Sequence, residues 1–259
     1  MKIKINTNKT LEQNASEYYE RVKKLKRKLE GATKALSRSN VKLNKLEKKD
    51  IEVQEKKKQS AKKKSIKREW FEKFHWFHSS SDLLVIGGKD ATSNEIVVKK
   101  HVEKGDLVFH TEMSGSPFFV IKSNKKKIDD KTIKETAQAT VSYSKAWKLG
   151  LSISDVFYVK PNQVTKETKS GEFVARGAFM IYGKKEFLKP KLEIAIGITK
   201  ENKVIGGPIS AIKKHSEKHI IVVPGKHKKS DTAKKIKSKI GGSVDEISRF
   251  LPAGGCGLK

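Results

Sequence analysis

The sequence predicts an α+β fold: a domain of mixed short strands and helices over residues 69–259, preceded by a basic α-helical coiled coil over residues 1–68. Three observations lead there. From Leu11 the apolar residues step by four and three through Ala15, Tyr18, Val22, Leu25, Leu29, Ala32 and Leu36, an a/d seam that Leu43, Leu46 and Val53 continue with gaps. After Trp70 the texture changes to short β-branched and aromatic runs, punctuated by glycine and polar turns and alternating with helical stretches. The 259 residues are enough for a core without metal or disulfide staples, and the single cysteine, Cys256, cannot form an intrachain bridge.

The elements follow in chain order. Thr10 or Asn8 is placed to cap the first helix. SRSN at 37–40 and the region around Asp50 are the places for a break or hairpin turn, so one long helix and a helix pair both fit. KKKQSAKKKSIKR at 56–68 has no core-forming face and reads as a basic helix or a flexible stretch. In the domain, FHWFHSS and DLLVIGG read as two strands joined by a turn. DATSNEIVVKKHVEKG reads as a helix starting at Asp90 and ending at Gly105. DLVFHTE and SPFFVIKS are short strands separated by MSG. DDKTIKETAQATVSYSKAWKLGL places Ile133, Ala137, Thr140, Tyr143 or Ser144 and Trp147 on one helical face. DVFYVKP, FVARGAFMIYG and KLEIAIGIT supply further strands, with KETKSGE as a polar loop. VIGGPISAIKKHS, HIIVVPG, SDTAKKIKSKIGG and VDEISRFLP close the chain as alternating helix and strand.

Charge narrows the function. The chain carries 58 Lys and Arg against 29 Asp and Glu, a net +29, and residues 1–68 hold 23 of the basic and 8 of the acidic side chains. A field of this sign draws polyanions, nucleic acid above all, with binding that weakens as salt rises. A lysine-rich solvated surface is the bland alternative. No apolar run is long enough for a signal peptide or membrane span, and IIVV at 220–223 has strand length, so a cytoplasmic protein without membrane contact is expected.

The motifs are weighed against plainer readings. LVIGGKDA runs from a strand through Gly87 and Gly88 into a helix start, yet it is neither GxGxxG nor GxxxxGK[ST]. A simple turn with Asp90 as cap fits it, and so does presentation of Lys89 and the helix start to an RNA phosphate. Asp90, Glu95 and His110 do not form a metal-ligand spacing, and no nucleophile–base order stands out. No metal, cofactor or catalytic residue is expected, and the chain is read as not an enzyme. Trp70, Phe71, Phe74, Trp76 and Phe77 are packing aromatics in the main, with one or two available for stacking on a base. His75 and His78 alternate with Trp76 and Phe77, which leaves one strand face polar. Glycines 171, 177 and 183 in SGEFVARGAFMIYGKK mark bulges or close backbone approach.

Laid end to end, WFEKFHWFHSSSDLLVIGGKDATSNEIVVKKHV resembles the opening of the NFACT-R domain, and GDLVFHTEMSGSPFFVIKS resembles the stretch that follows it. SYSKAWKLGL, VFYVKPNQVTKETKSGEFVARGAFMIYGKKEF and the terminal DEISRFLPAG continue the likeness in order. QNASEYYERVKKLKRKLEGATKAL is similar to the coiled coil of the same family, the ribosome-associated quality control factors. The resemblance implies binding to rRNA of the large ribosomal subunit and to tRNA of stalled nascent-chain complexes, with the coiled coil as a reaching arm. It implies an RNA contact set of Trp76, Lys89, Asn94, His110, Ser144, Trp147, Gln163, Lys166, Arg176, Lys184 and Lys185. The family's tRNA-selecting and tailing residues lie ahead of the coiled coil and have no counterpart in these residues. The resemblance therefore implies no tailing by this chain alone and leaves three forms open: a fragment, a split form with a separate N-terminal NFACT partner chain, or a standalone relative. Thr111 stands where the family usually has alanine. Lys89 stands where it prefers arginine, keeping the charge without the bidentate fork. A reading of another class also stands, an architectural protein whose coiled coil self-associates and whose domain docks a protein partner. A common RNA site requires Lys89, His110 and Arg176 to share one exposed face, with scattering or burial counting against it, and sedimentation with large subunits separates the two readings.

Overall fold

The computed structural model describes residues 4–61, 69–168 and 174–259. The chain divides into two units, Met1–Lys67 and Arg68–Lys259.

Among the described residues the first unit holds one helix, α1 (Leu11–Ala61), 51 residues and about 76 Å long at 1.5 Å per residue. Thr10 caps it: its hydroxyl accepts from Gln13 N–H at 3.2 Å, and the Gln13 side chain accepts in return from Thr10 N–H at 3.1 Å. Asn14 ties the preceding segment down, donating to the carbonyls of Asn6, Lys9 and Thr10. The helix runs unbroken through SRSN and Asp50, so the hairpin alternative falls. Serine, arginine and asparagine in a helix interior are only mildly unfavourable, and no proline forces an end there. The seam residues Leu11, Tyr18, Val22, Leu25, Leu29, Leu36 and Leu43 are all exposed. The side chains of Leu46 and Val53, and residues 62–68 of the basic stretch, lie outside the described residues.

The second unit is built on two antiparallel sheets. Strands β1 (His75–His78), β2 (Leu84–Gly87), β3 (Leu107–Thr111), β4 (Phe119–Ile121), β5 (Val156–Val159) and β8 (Glu186–Leu188) form the first, in the order β1-β2-β4-β3-β5-β8. A small ribbon pairs β6 (Val164–Thr165) with β7 (Met180–Ile181). Strands β9 (Ile194–Ile198), β10 (Val204–Gly207), β11 (Lys218–His227) and β12 (Cys256–Leu258) form the second, ordered β10-β9-β11-β12. Strand β12 was not anticipated; a glycine-rich tail gives no periodic signal.

Alternation along the strands buries both faces of the first sheet. On one side Val85, Phe109, Phe119 and Ile121 pack with Ala137, Ala139 and Val141 of helix α3 (Asp130–Ser142) and with Ile194 and Ile196 of the second sheet. On the other, Ile86, Val108 and Val120 pack with Val97 of α2 (Ala91–His101). Helix α3 thus carries the second sheet onto the first. Its buried threonines, Thr136 and Thr140, satisfy their hydroxyls on the carbonyls four residues back.

Two helix boundaries differ from the sequence reading. α2 stops at His101 with Val102 extended, because Gly105 (φ +97°) belongs to the turn into β3 rather than to the cap. The long helix expected through Trp147 breaks at Tyr143, and Ser144 caps a separate α4 (Lys145–Lys148) by accepting from Ala146 N–H at 3.2 Å. Of FVARGAFMIYG, Met180–Ile181 is the strand among the described residues, while Gly171 and Phe173 lie outside them. The remaining helices, α5 (Ile209–His215), α6 (Lys229–Ile240) and α7 (Val244–Phe250), bury Ile212, Ile236 and Ile247 against the core. No helix among the described residues is long and apolar enough to cross a membrane.

Candidate nucleic-acid interface

The Gly87–Gly88 pair does more than turn the chain. A β-carbon on Gly87 would meet the Phe119 ring at 2.6 Å, and one on Gly88 would meet Asn94 Oδ1 at 2.0 Å. The missing side chains let the end of β2 lie flat against β4 and against α2. Asn94 Oδ1 then accepts from Phe118 N–H at 3.1 Å, and Gly88 N–H donates to Phe118 O at 3.1 Å. Lys89 is left at the tip of the turn, exposed.

The helix start beside it is already occupied. Asp90 accepts from Ser93 N–H at 2.8 Å, and Ser93 Oγ accepts from the backbones of Lys89 and Asp90 at 2.7 and 2.8 Å. The Ser93 backbone and hydroxyl bonds hold the Asp90 carboxyl below its usual range. With a carboxylate seated on it, the α2 N-terminus is already satisfied, and Lys89 is the exposed cation of this turn.

A third segment arrives from far along the chain. Gly177 (φ +78°) sits so close to Ala91 that a β-carbon would approach its backbone to 2.5 Å, and Gly177 N–H donates to Glu95 Oε2 at 2.9 Å. Glu95 also pairs with Lys99 at 2.7 Å and Lys166 at 3.1 Å. Lys99 chiefly, then the Gly177 amide and Lys166, hold its carboxyl down at about 2. Glu95 is therefore a pin fastening the Gly177 loop to α2. Among the described residues no group of three His, Cys, Asp or Glu is placed to hold a metal ion.

These segments enclose a cleft of roughly 420 Å³ whose lining includes His75, Lys89, Asn94, His110, Ser114, Ser116, Phe118, Tyr143, Arg176 and Phe179. Lys89, His110 and Arg176 thus share one concave surface. His110 stacks on Phe118 at 4.2 Å between ring centroids and its Nδ1 lies 2.7 Å from Thr111 O. Burial pushes its pKa down, so it lines the cleft as a neutral ring. His75 stacks on Tyr143 at 4.0 Å, and its buried Nδ1 has no hydrogen-bond partner among the described residues. Burial first, then Lys89 and Lys229, lower its pKa to about 3.

With this geometry in place, the family described as "NFACT protein RNA binding domain" matches residues 73–183. Residues 73–183 form an NFACT-R domain. Its similar proteins include the archaeal Rqc2 homolog aRqcH of Methanocaldococcus jannaschii, 39% identical over 213 residues, which are 79% of this chain and 32% of that one. The ribosome quality control complex subunit NEMF homolog of Drosophila melanogaster is 40% identical over 50% of this chain and 13% of its own. Human ribosome quality control complex subunit NEMF is 36% identical over 68% of this chain and 16% of its own. The chain spans about a third or less of the length of these relatives. A solved structure, the C-terminal of the fibronectin/fibrinogen-binding protein from Streptococcus suis, aligns with a TM-score of 0.41 and 19% identity over 80% of each chain, too distant to position any element.

Within this NFACT-R domain the expected contact residues separate. Lys89, Asn94, His110 and Arg176 line the cleft, Asn94 as a buried strut and Lys89 and Arg176 as exposed cations. Trp147 is a correction: at 1% exposure its indole donates to Gly255 O at 3.0 Å inside the core, out of reach of any base. Ser144 is another, buried as the α4 cap. Trp76, 9% exposed, packs with Phe71 and Phe250 beneath Lys203, and borders a different hollow lined by His78, Lys203 and His215. Gln163 is spent on the carbonyls of Tyr182 and Lys184, and Lys166 on Glu95 and Ala175 O. Lys185 pairs with Glu112 at 2.8 Å, while Lys184 stands in solvent beside Glu186. None of Gln163, Lys166, Lys184 and Lys185 lines the cleft. The sequence reading missed Ser114–Phe118 and the floor residue Tyr143, which carry no local signal beyond aromatic and small-residue character.

Proposed function

We propose that this chain binds RNA of the ribosome in ribosome-associated quality control, with the Lys89–Arg176 cleft as its contact surface. The observation that carries the reading is that both cations open onto one concave surface and neither forms an ion pair among the described residues. Asp90, the acid that feels Arg176 and acts on Lys89, is committed to its helix. Cations left unneutralised at a cleft attract an external polyanion. The RNA-binding description of the matched family and the quality-control names of the relatives support the same reading. In finer detail we take the partners to be rRNA of the large subunit and tRNA of stalled nascent-chain complexes. A separate N-terminal NFACT chain would complete a split form, the setting is the cytoplasm, and the chain contributes binding rather than catalysis.

Co-sedimentation with isolated large ribosomal subunits tests this. The chain is expected in the pellet at low salt and progressively in the supernatant as salt rises. Failure to pellet at any salt would overturn the reading.

A second reading is favoured by one observation, the exposed apolar seam of α1. In it, α1 pairs as a coiled coil with a second copy and the domain docks a protein. A stable dimer indifferent to ribosomes would support it.

A further inference from the structure

The C-terminal part of the fold reaches the cleft. Tyr143, which lines the floor, donates its hydroxyl to Phe250 O at 2.6 Å, bringing the end of α7 to the site. The next carbonyl, Leu251 O, accepts from Lys229 Nζ at 2.8 Å, which orients the first residue of α6 there as well. Arg249, on the other side of Phe250, is exposed. Lys89, Lys229 and Arg249 form no ion pair among the described residues. Lys89 feels the other two: burial and then the charges of Arg249 and Lys229 hold it below the ordinary lysine range. His75, with its unpartnered Nδ1, stacks on Tyr143 and feels the charges of Lys89 and Lys229.

We infer that Lys229 and Arg249 join Lys89 in a phosphate-binding site beside the His75–Tyr143 stack. A partly desolvated Lys89 held against Lys229 and the exposed Arg249 gains most from an anion with several acceptor oxygens, and an arginine fork with two ammonium groups suits a phosphate. Two of these residues lie outside the matched 73–183 segment. The site therefore widens the contact surface beyond that segment. It rests on the RNA-binding reading only for the source of the phosphate, an RNA backbone or a free phosphate.

The test is calorimetric titration of the full chain with a ten-nucleotide uridylate RNA and, separately, with inorganic phosphate. Arg249→Glu is compared with Lys131→Glu, an exposed site on α3, and Lys89→Gln gives an independent check. Circular dichroism melts confirm that each variant folds. We expect Arg249→Glu and Lys89→Gln to weaken RNA binding about tenfold and to flatten its salt dependence by about one phosphate contact, with Lys131→Glu within about twofold of wild type. Phosphate binding without RNA binding, lost in Arg249→Glu, would keep the site, assign it to free phosphate and overturn the RNA reading. RNA binding equally strong in Arg249→Glu and Lys131→Glu, with no phosphate binding sensitive to Arg249, would overturn the site while leaving the RNA reading intact.

Discussion

A β-carbon at Gly88 would lie 2.0 Å from Asn94 Oδ1 and 2.7 Å from the Asn94 backbone nitrogen, and Asn94 is held by its bond from Phe118 N–H. Gly88→Ala is therefore expected to destabilise the domain by about 2 kcal/mol, in the range of overpacked cores, read as a lower urea midpoint. An unchanged midpoint would mean that the Asn94 strut yields freely. His75 gives a pH dependence with a definite sign. Its folded pKa, about 3, lies below the ordinary 6.5, and that of His110 is shifted the same way. The unfolded chain thus takes up protons that the fold refuses. Stability is full above pH 6.5 and falls as pH drops toward 3, by at most about 1.4 kcal/mol per unit for His75. His75→Phe, which keeps a ring on Tyr143, should flatten that fall in denaturation curves at pH 7.5 and pH 5. An equally steep fall would remove His75 as its source.

At the level of elements, α2 shows what sequence reveals well. Asp90 predicts a capped start, and its reciprocal bonds with Ser93 are there. Removing the carboxylate separates its two effects. Asp90→Ala is expected to lower stability by about 1 kcal/mol through the lost cap. It should also tighten RNA binding, since a negative charge leaves the neighbourhood of Lys89 and Arg176; weaker binding with the fold intact would argue that Asp90 itself meets the ligand. The α3–α4 break was less legible. A helical face from Ile133 to Trp147 satisfies the periodicity, and only the tertiary pull of Trp147 toward Gly255, over a hundred residues away, makes the cap at Ser144 the better solution. For α1, heptad spacing showed the seam but not whether it is paired. Leu25→Asp should shift any self-association in sedimentation velocity toward the monomer, whereas an unaltered distribution would place self-association elsewhere.

For the molecule as a whole, the α+β class and most strands followed from pattern and turn chemistry. The cleft followed only in part. Lys89, His110 and Arg176 were readable because they lie in distinctive motifs. Trp147 and Ser144 misled because exposure is set by contacts that the local sequence does not display. Lys229 and Arg249 could not be distinguished from the other basic residues in a chain of net charge +29 until the fold brought them to Lys89. The same excess of charge makes bulk affinity for RNA a blunt observation, because any part of such a surface attracts a polyanion. Position is the sharper one. Ultraviolet crosslinking of the intact chain on large ribosomal subunits, followed by mass spectrometry of the crosslinked peptides, locates the contact directly. Crosslinks in the peptides carrying Lys89, Ser114–Phe118 and Arg176–Phe179 are the predicted result, and crosslinks confined to α1 would contradict it.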